Sequence, residues 1–267
     1  IDWADMDKDG PLCAEQMLYA ACFRVMAEIS KQLGKDGNVY RQEYEKLTAA
    51  IEKFFWDEEK GAYIDSFTSG KRNVTRHANI FAILFDIADK QKQEKILTNV
   101  LENDEIPAIT TPYFNFFELD VLCQMGKLTE VLDKIRSYWG GMLDLGAVTF
   151  WEEYDPSVPK EEQYDMYGDH FGKSLCHAWA ASPIYFLAKY FAGLDLVNKD
   201  GVTYVLKPQM QYFTDLDCTL PVGSDGTVRL AWDGECLEVT ADAEGGVLEL
   251  GEEKISLVRG ETRRVKI

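Results

Sequence analysis

Thr111-Pro-Tyr-Phe-Asn-Phe-Phe-Glu-Leu-Asp-Val-Leu-Cys123 is the stretch that decides the fold. If this segment is helical, its apolar residues cover much of the helix circumference and not a single stripe. A helix that is apolar on several sides is buried between two layers of structure. An inner ring of helices wrapped by an outer ring provides that environment. The segment therefore favours a toroid of helical hairpins over a simple bundle.

Other parts of the chain also have helical periodicity. Two segments repeat apolar residues at three- and four-residue steps: Leu18, Ala21, Cys22, Val25, Ile29 and Leu33 in the first, and Val39, Tyr40, Tyr44, Leu47, Ile51 and Phe54 in the second. We predict further helices over 76–88, 90–102, 128–139 and 173–192, which makes about seven in all. A closed toroid of six hairpins, (α/α)6, needs about twelve. We therefore predict a partial toroid and expect the other helices upstream of Ile1.

The pattern changes after Asp195. Short runs with alternating polarity, such as Val202–Leu206 and Thr227–Trp232, are separated by glycine-rich turns, one of them at Gly223-Ser-Asp-Gly226. The fold class is thus mainly α with a small all-β domain. We place the helical domain at residues 1–195 and the β domain at 196–267, with the boundary in Asp195–Gly201.

The composition restricts the class of partner. The 267 residues carry a net charge of −18, which argues against nucleic acid because phosphate binding needs clustered Lys and Arg. The longest apolar runs fall far short of the ~20 residues of a membrane span. The six cysteines form no CxxC pair, and although Cys218 and Cys236 could pair across strands, nothing demands it. The compartment, cytoplasm or periplasm, therefore stays open.

Gly146-Ala-Val-Thr-Phe-Trp-Glu-Glu-Tyr-Asp155 is the strongest candidate for chemistry. It places Trp151 beside Glu152 and Glu153. An aromatic ring can stack on the C–H face of a sugar, and a carboxylate can activate water or bind hydroxyls. Acids in an apolar run cost free energy unless they have a function or a partner. The alternative is a structural ion pair with Arg76 or Arg136.

A second patch follows at Ser174-Leu-Cys-His-Ala-Trp-Ala-Ala-Ser-Pro183. Its His177 either contacts a ligand or is a hydrogen-bonded core residue. Trp3, in Asp2-Trp3, is either a sugar platform or a packing residue. None of the three histidines has HxxxH or HExxH spacing, so we expect no catalytic zinc. The chain also lacks phosphate-loop and dinucleotide motifs, and we expect no cofactor.

Asp5-Met-Asp-Lys-Asp-Gly10 matches the opening of a calcium loop, with oxygen ligands at alternate positions followed by a glycine. The closing bidentate glutamate should fall at position 16, which is Gln16. The sequence therefore favours a solvated acidic loop over calcium binding by Asp5, Asp7 and Asp9.

Five motifs occur together in one order: Asp2-Trp3, Thr110-Thr-Pro-Tyr-Phe114, Trp139-Gly-Gly-Met-Leu143, Gly146-Ala-Val-Thr-Phe-Trp-Glu152 and Ser174-Leu-Cys-His-Ala-Trp-Ala180. With these motifs the chain resembles the C-terminal part of a bacterial α-L-rhamnosidase of glycoside hydrolase family 78. The resemblance implies an (α/α)6 toroid followed by a C-terminal β-sandwich.

The resemblance also implies hydrolysis of terminal α-L-rhamnosides with inversion, which needs an acid for the leaving oxygen and a base for water. It assigns the base to Glu152, with Glu153 as its near rival. Trp3, Trp151, His177 and Glu153 become the candidate substrate-binding residues. The family's general acid belongs to an Arg-Asp-Glu-Arg-like segment upstream of Asp-Trp, and these residues contain no such segment. We therefore expect the chain to need a missing N-terminal part of the same polypeptide and to be inactive alone.

Two other classes of function fit the same residues. One is another (α/α)6 glycosidase, such as a glucuronyl or glucosyl hydrolase, because fold alone does not choose the sugar. The other is a non-catalytic carbohydrate-binding module. The sequence predicts neither the aglycone nor the oligomeric state.

Overall fold

The computed structural model describes residues 2–199, 202–224 and 226–267. Its helices are α1 (Cys13–Gln32), α2 (Asn38–Phe55), α3 (Arg76–Leu84), α4 (Lys90–Ile96), α5 (Pro112–Gln124), α6 (Leu128–Lys134), α7 (Gly140–Asp144) and α8 (Ser182–Phe186). π-Helical turns prolong α4 to Leu101, join α6 to α7 and prolong α8 to Phe191. The described residues thus form seven continuous helical stretches, which confirms the predicted number.

The chain divides into two compact units, one holding Ile1–Gly126 and Tyr138–Trp179 and the other Lys127–Ser137 and Ala180–Ile267. The predicted boundary in Asp195–Gly201 stays a prediction. Part of that segment belongs to a strand, Leu194–Lys199. Asp200 and Gly201, and Asp225 of the predicted turn at Gly223–Gly226, lie outside the described residues.

Helix α5 is buried on several sides over residues 118–121. It begins at Pro112, after Thr111, whose side chain caps the helix by accepting a hydrogen bond of 3.2 Å from the amide of Phe114. Successive helical residues point in directions about 100° apart, and four successive residues are buried: Glu118, Leu119, Asp120 and Val121. The prediction of a helix without a solvent face is confirmed for this stretch.

Helix α1 is apolar on two faces, only one of which is covered. Cys13, Met17 and Ala20 are fully buried in the core of the first unit. The other face carries four exposed apolar residues, between 42% and 63% accessible, which we call the α1 stripe: Leu18, Val25, Ile29 and Leu33. The predicted helix is confirmed, but most of the residues that predicted it lie on its exposed face.

The strands fall into one hairpin and two larger sheets. β1 (Trp56–Asp57) and β2 (Ala62–Tyr63) form the hairpin. The other strands are β3 (Leu194–Lys199), β4 (Val202–Leu206), β5 (Leu216–Val222), β6 (Gly226–Trp232), β7 (Cys236–Ala241), β8 (Gly246–Leu250), β9 (Glu253–Leu257) and β10 (Thr262–Lys266). They form two four-stranded sheets, ordered β10-β7-β6-β5 and β3-β4-β8-β9. Residues of both sheets share one buried cluster, which includes Leu206, Leu248, Val228 and Val239.

The prediction of one long helix over 173–192 is wrong in its first half. The helix begins only at Ser182, and only a short 3₁₀ turn, Ala178–Ala180, precedes it. The backbone of residues 174–177 instead forms hydrogen bonds with a segment that is distant in the sequence, as described below. Helical periodicity does not predict such pairing. The predicted helix over 76–88 likewise ends early, at Leu84.

All six cysteines are free thiols. Cys218 on β5 and Cys236 on β7 do not pair, because β6 runs between them. Cys13 and Cys123 are buried, whereas Cys22 and Cys176 are exposed. None of the helices in the described part of the chain has the length and apolar composition of a membrane-spanning segment.

Candidate active site

The two patches singled out in the sequence lie side by side. The amide of Glu152 donates to the carbonyl of Ser174 at 2.9 Å, and the amide of His177 donates to the carbonyl of Phe150 at 2.8 Å. These backbone bonds hold residues 150–152 against residues 174–177. Glu152 and His177, which are distant in the sequence, are therefore brought to one place.

The Glu152 carboxylate is buried and both of its oxygens are engaged. The hydroxyl of Tyr167 donates to Oε1 at 2.8 Å, and the amide of Ser174 donates to Oε2 at 2.9 Å. Nδ1 of His177 lies 3.9 Å from Oε2, which is too far for a hydrogen bond. The two donors come from different segments and fix the orientation of the carboxylate.

An aromatic cluster, formed by Trp3, Tyr113 and Trp179, lies beside Glu152. The indole N–H of Trp179 donates to the Glu152 carbonyl at 3.0 Å. The ring of Trp179 stacks on Tyr113, with centroids 5.5 Å apart, and meets Trp3 edge-on at 5.3 Å. Trp3 remains 48% exposed, so part of its surface is available to a ligand. A carboxylate beside partly exposed aromatic rings is an arrangement suited to binding a sugar.

Asp2 anchors the segment that carries Trp3. Its carboxylate accepts hydrogen bonds from Nε2 of His77 on α3 at 2.7 Å and from the hydroxyl of Thr111, the cap of α5, at 2.8 Å. Burial acts to raise the pKa of Asp2. The hydrogen bonds from His77 and Thr111 and the charge of His77 outweigh burial, so this pKa lies below its usual value. Trp3 is therefore held by a hydrogen-bonded anchor that joins two helices.

Glu153 and Trp151 have different surroundings from Glu152. Glu153 lies 3.6 Å from the ammonium of Lys173, whose side chain is only 4% exposed. Trp151 is buried, and its ring packs against Tyr164 with centroids 5.6 Å apart. Trp151 therefore packs in the interior and stabilises the segment that carries Glu152, whereas part of the Trp3 ring is exposed.

The two arginines that could have formed a structural ion pair with Glu152 have other partners. Arg76 pairs with the buried Glu118 at 2.6 Å, and Arg136 lies 3.9 Å from Asp133. In the described residues Glu152 is thus held by a phenol and a backbone amide, not by a guanidinium.

The acidic loop near the start of the chain is tied to neighbouring residues. Asp7 accepts hydrogen bonds from the hydroxyl of Ser69 and, at 3.3 Å, from the amide of Asp9. Among the described residues no group of three or more His, Cys, Asp or Glu side chains is arranged to hold a metal ion. Asp5 and Asp9 are exposed. Asp7, in contrast, is buried, so the loop is not solvated throughout as the sequence predicted.

A family model accounts for the helical part of the chain. The family described as bacterial alpha-L-rhamnosidase 6 hairpin glycosidase domain matches residues 1–191. The chain belongs to this family. The helices described above are therefore those of a six-hairpin glycosidase domain, and the match ends close to the first strand of the second unit.

Solved rhamnosidases share the fold of this family member. The family 78 rhamnosidase of Bacillus sp. GL1 has a TM-score of 0.77 and 23% identity over 94% of this chain and 28% of its own. The rhamnosidase from Klebsiella oxytoca, solved with rhamnose bound, has a TM-score of 0.60 and 30% identity over 71% and 36%. The Streptomyces avermitilis α-L-rhamnosidase, complexed with L-rhamnose, has a TM-score of 0.65 and 17% identity over 92% and 24%.

The chain thus spans between 24% and 36% of the length of these three rhamnosidases. No curated protein sequence matches it.

Sequence reasoning missed Tyr167, Tyr113 and His77 as parts of this candidate site. Tyr113 belongs to one of the family motifs, so its position there was the available signal. Tyr167-Gly168 had the form of a turn, and His77 lay inside a helical pattern. For these two residues the sequence offered no sign of Glu152 or Asp2 as their partners.

Proposed function

We propose that the polypeptide containing this chain hydrolyses terminal α-L-rhamnosides with inversion, and that Glu152 is its general base. The single observation that supports this best is the buried Glu152 carboxylate, held by Tyr167 and Ser174 beside the aromatic cluster. Two rhamnosidases of the same fold were solved with rhamnose bound, which supports the choice of sugar.

The chemistry assigned to Glu152 is proton abstraction. An inverting glycosidase uses one carboxylate to take a proton from water on one face of the sugar, while a carboxylic acid protonates the leaving oxygen on the other face. Its oxocarbenium-like transition state needs no metal or organic cofactor from the protein. We propose that the acid is contributed by a segment upstream of residue 1, where the family resemblance places it.

Glu152 is preferred over Glu153 because of their partners. Glu153 faces the ammonium of Lys173 at 3.6 Å, so one side of its carboxylate is occupied by a charged partner. Glu152 is held by neutral donors, which orient the carboxylate and leave it available to water. His177, 3.9 Å from Glu152, and the exposed surface of Trp3 are the proposed sugar contacts. The buried Trp151 is proposed to shape the pocket wall.

The α1 stripe supports a partner within the same polypeptide. Its four apolar side chains follow the helical repeat along α1 and are exposed in this chain. We propose that further helices of the polypeptide cover them and complete an (α/α)6 toroid, with the two larger sheets forming a C-terminal β-sandwich. The chain of residues 1–267 alone is then expected to be inactive, since it would lack the acid and part of the ring.

The alternatives are a toroidal glycosidase for another sugar and a non-catalytic carbohydrate-binding module. The geometry of Glu152 favours catalysis, because a binding role alone does not require a buried carboxylate fixed at both oxygens. The sugar itself is supported by family membership and not by the geometry.

The deciding experiment measures hydrolysis of an aryl α-L-rhamnoside by an upstream-extended polypeptide. Glu152→Gln keeps the shape of the side chain and removes the base, so we expect a loss of at least ~100-fold in kcat. Glu153→Gln is the matched control one residue away and should lose far less. The wild-type chain of residues 1–267 should show no turnover.

Each outcome of this experiment separates the hypotheses. A large loss in Glu153→Gln with none in Glu152→Gln would transfer the role to Glu153. Hydrolysis of an aryl glucuronide or glucoside, with none of the rhamnoside, would support the other glycosidases. Sugar binding without turnover of any glycoside would support the binding module.

A further inference from the structure

Tyr167 occupies a position that its residue type disfavours. Met166 and Asp169 form an antiparallel bridge, in which the amide of each donates to the carbonyl of the other at 3.0 and 2.9 Å. Between them, Tyr167 and Gly168 both have positive φ, 56° and 81°. This is the two-residue hairpin turn that favours Asn-Gly, because Asn and Gly tolerate the left-handed region far better than a bulky aromatic residue.

Packing of the ring does not offset this strain. Tyr167 is 74% exposed, and the ring contact that it makes is an edge-on approach to Trp3 with centroids 6.3 Å apart. An exposed ring gains little from the hydrophobic effect. A residue that is strained and poorly buried indicates a role outside folding.

The hydroxyl of Tyr167 reaches the buried Glu152. It donates to Oε1 at 2.8 Å, while the amide of Ser174 donates to Oε2 at 2.9 Å. These two donors come from different segments and fix the carboxylate from both ends. Asn at position 167 would suit the turn, but its side chain is too short to replace the phenol.

We propose that Tyr167 is a positioning residue, whose hydroxyl holds the Glu152 carboxylate in one orientation. The inference rests on the proposed role of Glu152 as general base and adds a residue that acts through it. The unfavourable turn is retained because it delivers this hydroxyl to Glu152.

The electrostatics around Glu152 agree with a donating phenol. The hydrogen bond to Glu152, above all, raises the pKa of Tyr167, so the phenol keeps its proton at neutral pH. The other titratable groups at this place are His177, 3.9 Å from Oε2, and the neighbouring pair of Glu153 and Lys173. Loss of the phenol would remove one of the two donors that hold the Glu152 carboxylate.

The first test compares Tyr167→Phe and Tyr167→Asn in the upstream-extended polypeptide. Both should lower kcat about tenfold and change KM little, as expected for the loss of one hydrogen bond that positions a catalytic group. Tyr167→Asn should keep or raise the urea midpoint of unfolding, because Asn-Gly suits the turn. Tyr164→Phe, on the same segment, is the matched control.

A second test needs no turnover. Carbodiimide-driven labelling of Glu152 with glycine ethyl ester at one fixed pH, followed by tandem mass spectrometry, should increase in Tyr167→Phe, because the carboxylate loses the hydroxyl that holds and covers Oε1. Unchanged labelling and an unchanged kcat in both variants would overturn the inference. If the polypeptide hydrolyses no rhamnoside and the labelling still increases, the proposed function fails and the role of Tyr167 stands.

Discussion

At the scale of single residues, Asp2 determines where Trp3 is held. Its hydrogen bonds to His77 and Thr111 favour the carboxylate in the folded state. We predict that Asp2→Asn lowers the free energy of unfolding at pH 7 by about 1.5–3 kcal/mol, the usual worth of hydrogen bonds to a charged group. Urea unfolding of both proteins at several pH values measures this difference.

The pH dependence of this effect has a definite sign. The pKa of Asp2 is lower in the folded state than in the unfolded chain, where it is about 3.9. The stabilisation is therefore complete above that value and disappears as the pH falls through the lower, folded pKa. Asp5→Asn, at an exposed position, is the control. A difference that persists at about pH 2, or that Asp5→Asn reproduces, would contradict the prediction.

Adjacent acids show how far the sequence could define the site. Positions 152 and 153 are both glutamate, so the sequence offered two candidates for the general base. The family motif favoured Glu152. Their different surroundings come from Tyr167, Ser174 and Lys173, which are 15 to 22 residues away from the acids that they contact. Side-chain partners at that separation depend on the path of the backbone, which local pattern does not specify.

At the scale of elements, the α1 stripe has a measurable consequence. Ile29→Lys should change the free energy of unfolding of the chain of residues 1–267 by less than about 0.5 kcal/mol, because Ile29 is exposed there. In the upstream-extended polypeptide the same change should cost about 2 kcal/mol or more, because it would bury a charge in a helix contact. Denaturant unfolding of the two forms measures both values.

The control for this prediction is Gln32→Lys, which adds the same charge at an exposed polar position of α1. It should have a small effect in both forms. An equally small effect of Ile29→Lys in the extended polypeptide would mean that nothing covers the stripe.

Helical periodicity predicted α1, α2 and α5 well and failed at 173–192. In α5 apolar residues are so numerous that the pattern correctly indicated burial on several sides. Residues 174–177 are also rich in apolar side chains, but their backbone bonds to Phe150 and Glu152. The tertiary fold decides the competition between local and distant hydrogen bonds. A prediction from local sequence therefore makes this helix too long.

At the scale of the whole molecule, the net charge of −18 bears on the substrate. A neutral aryl rhamnoside is neither attracted nor repelled at long range, so kcat/KM of the extended polypeptide should change less than about twofold between low and moderate salt. A carboxylated aryl rhamnoside should react faster as salt screens its repulsion, and its methyl ester provides the matched neutral substrate. Equal salt dependence of acid and ester would contradict this expectation.

The backbone bond between Glu152 and Ser174 closes the base of the intervening segment, residues 153–173. Closing a longer loop is inexpensive, since doubling its length costs about 0.6 kcal/mol. Selection can therefore lengthen, shorten or replace much of this segment while the carboxylate at its base stays in place. Within this segment, the turn that carries Tyr167 must therefore be kept if its hydroxyl is to reach Glu152. Much of the rest of the segment is free to diverge in length and sequence.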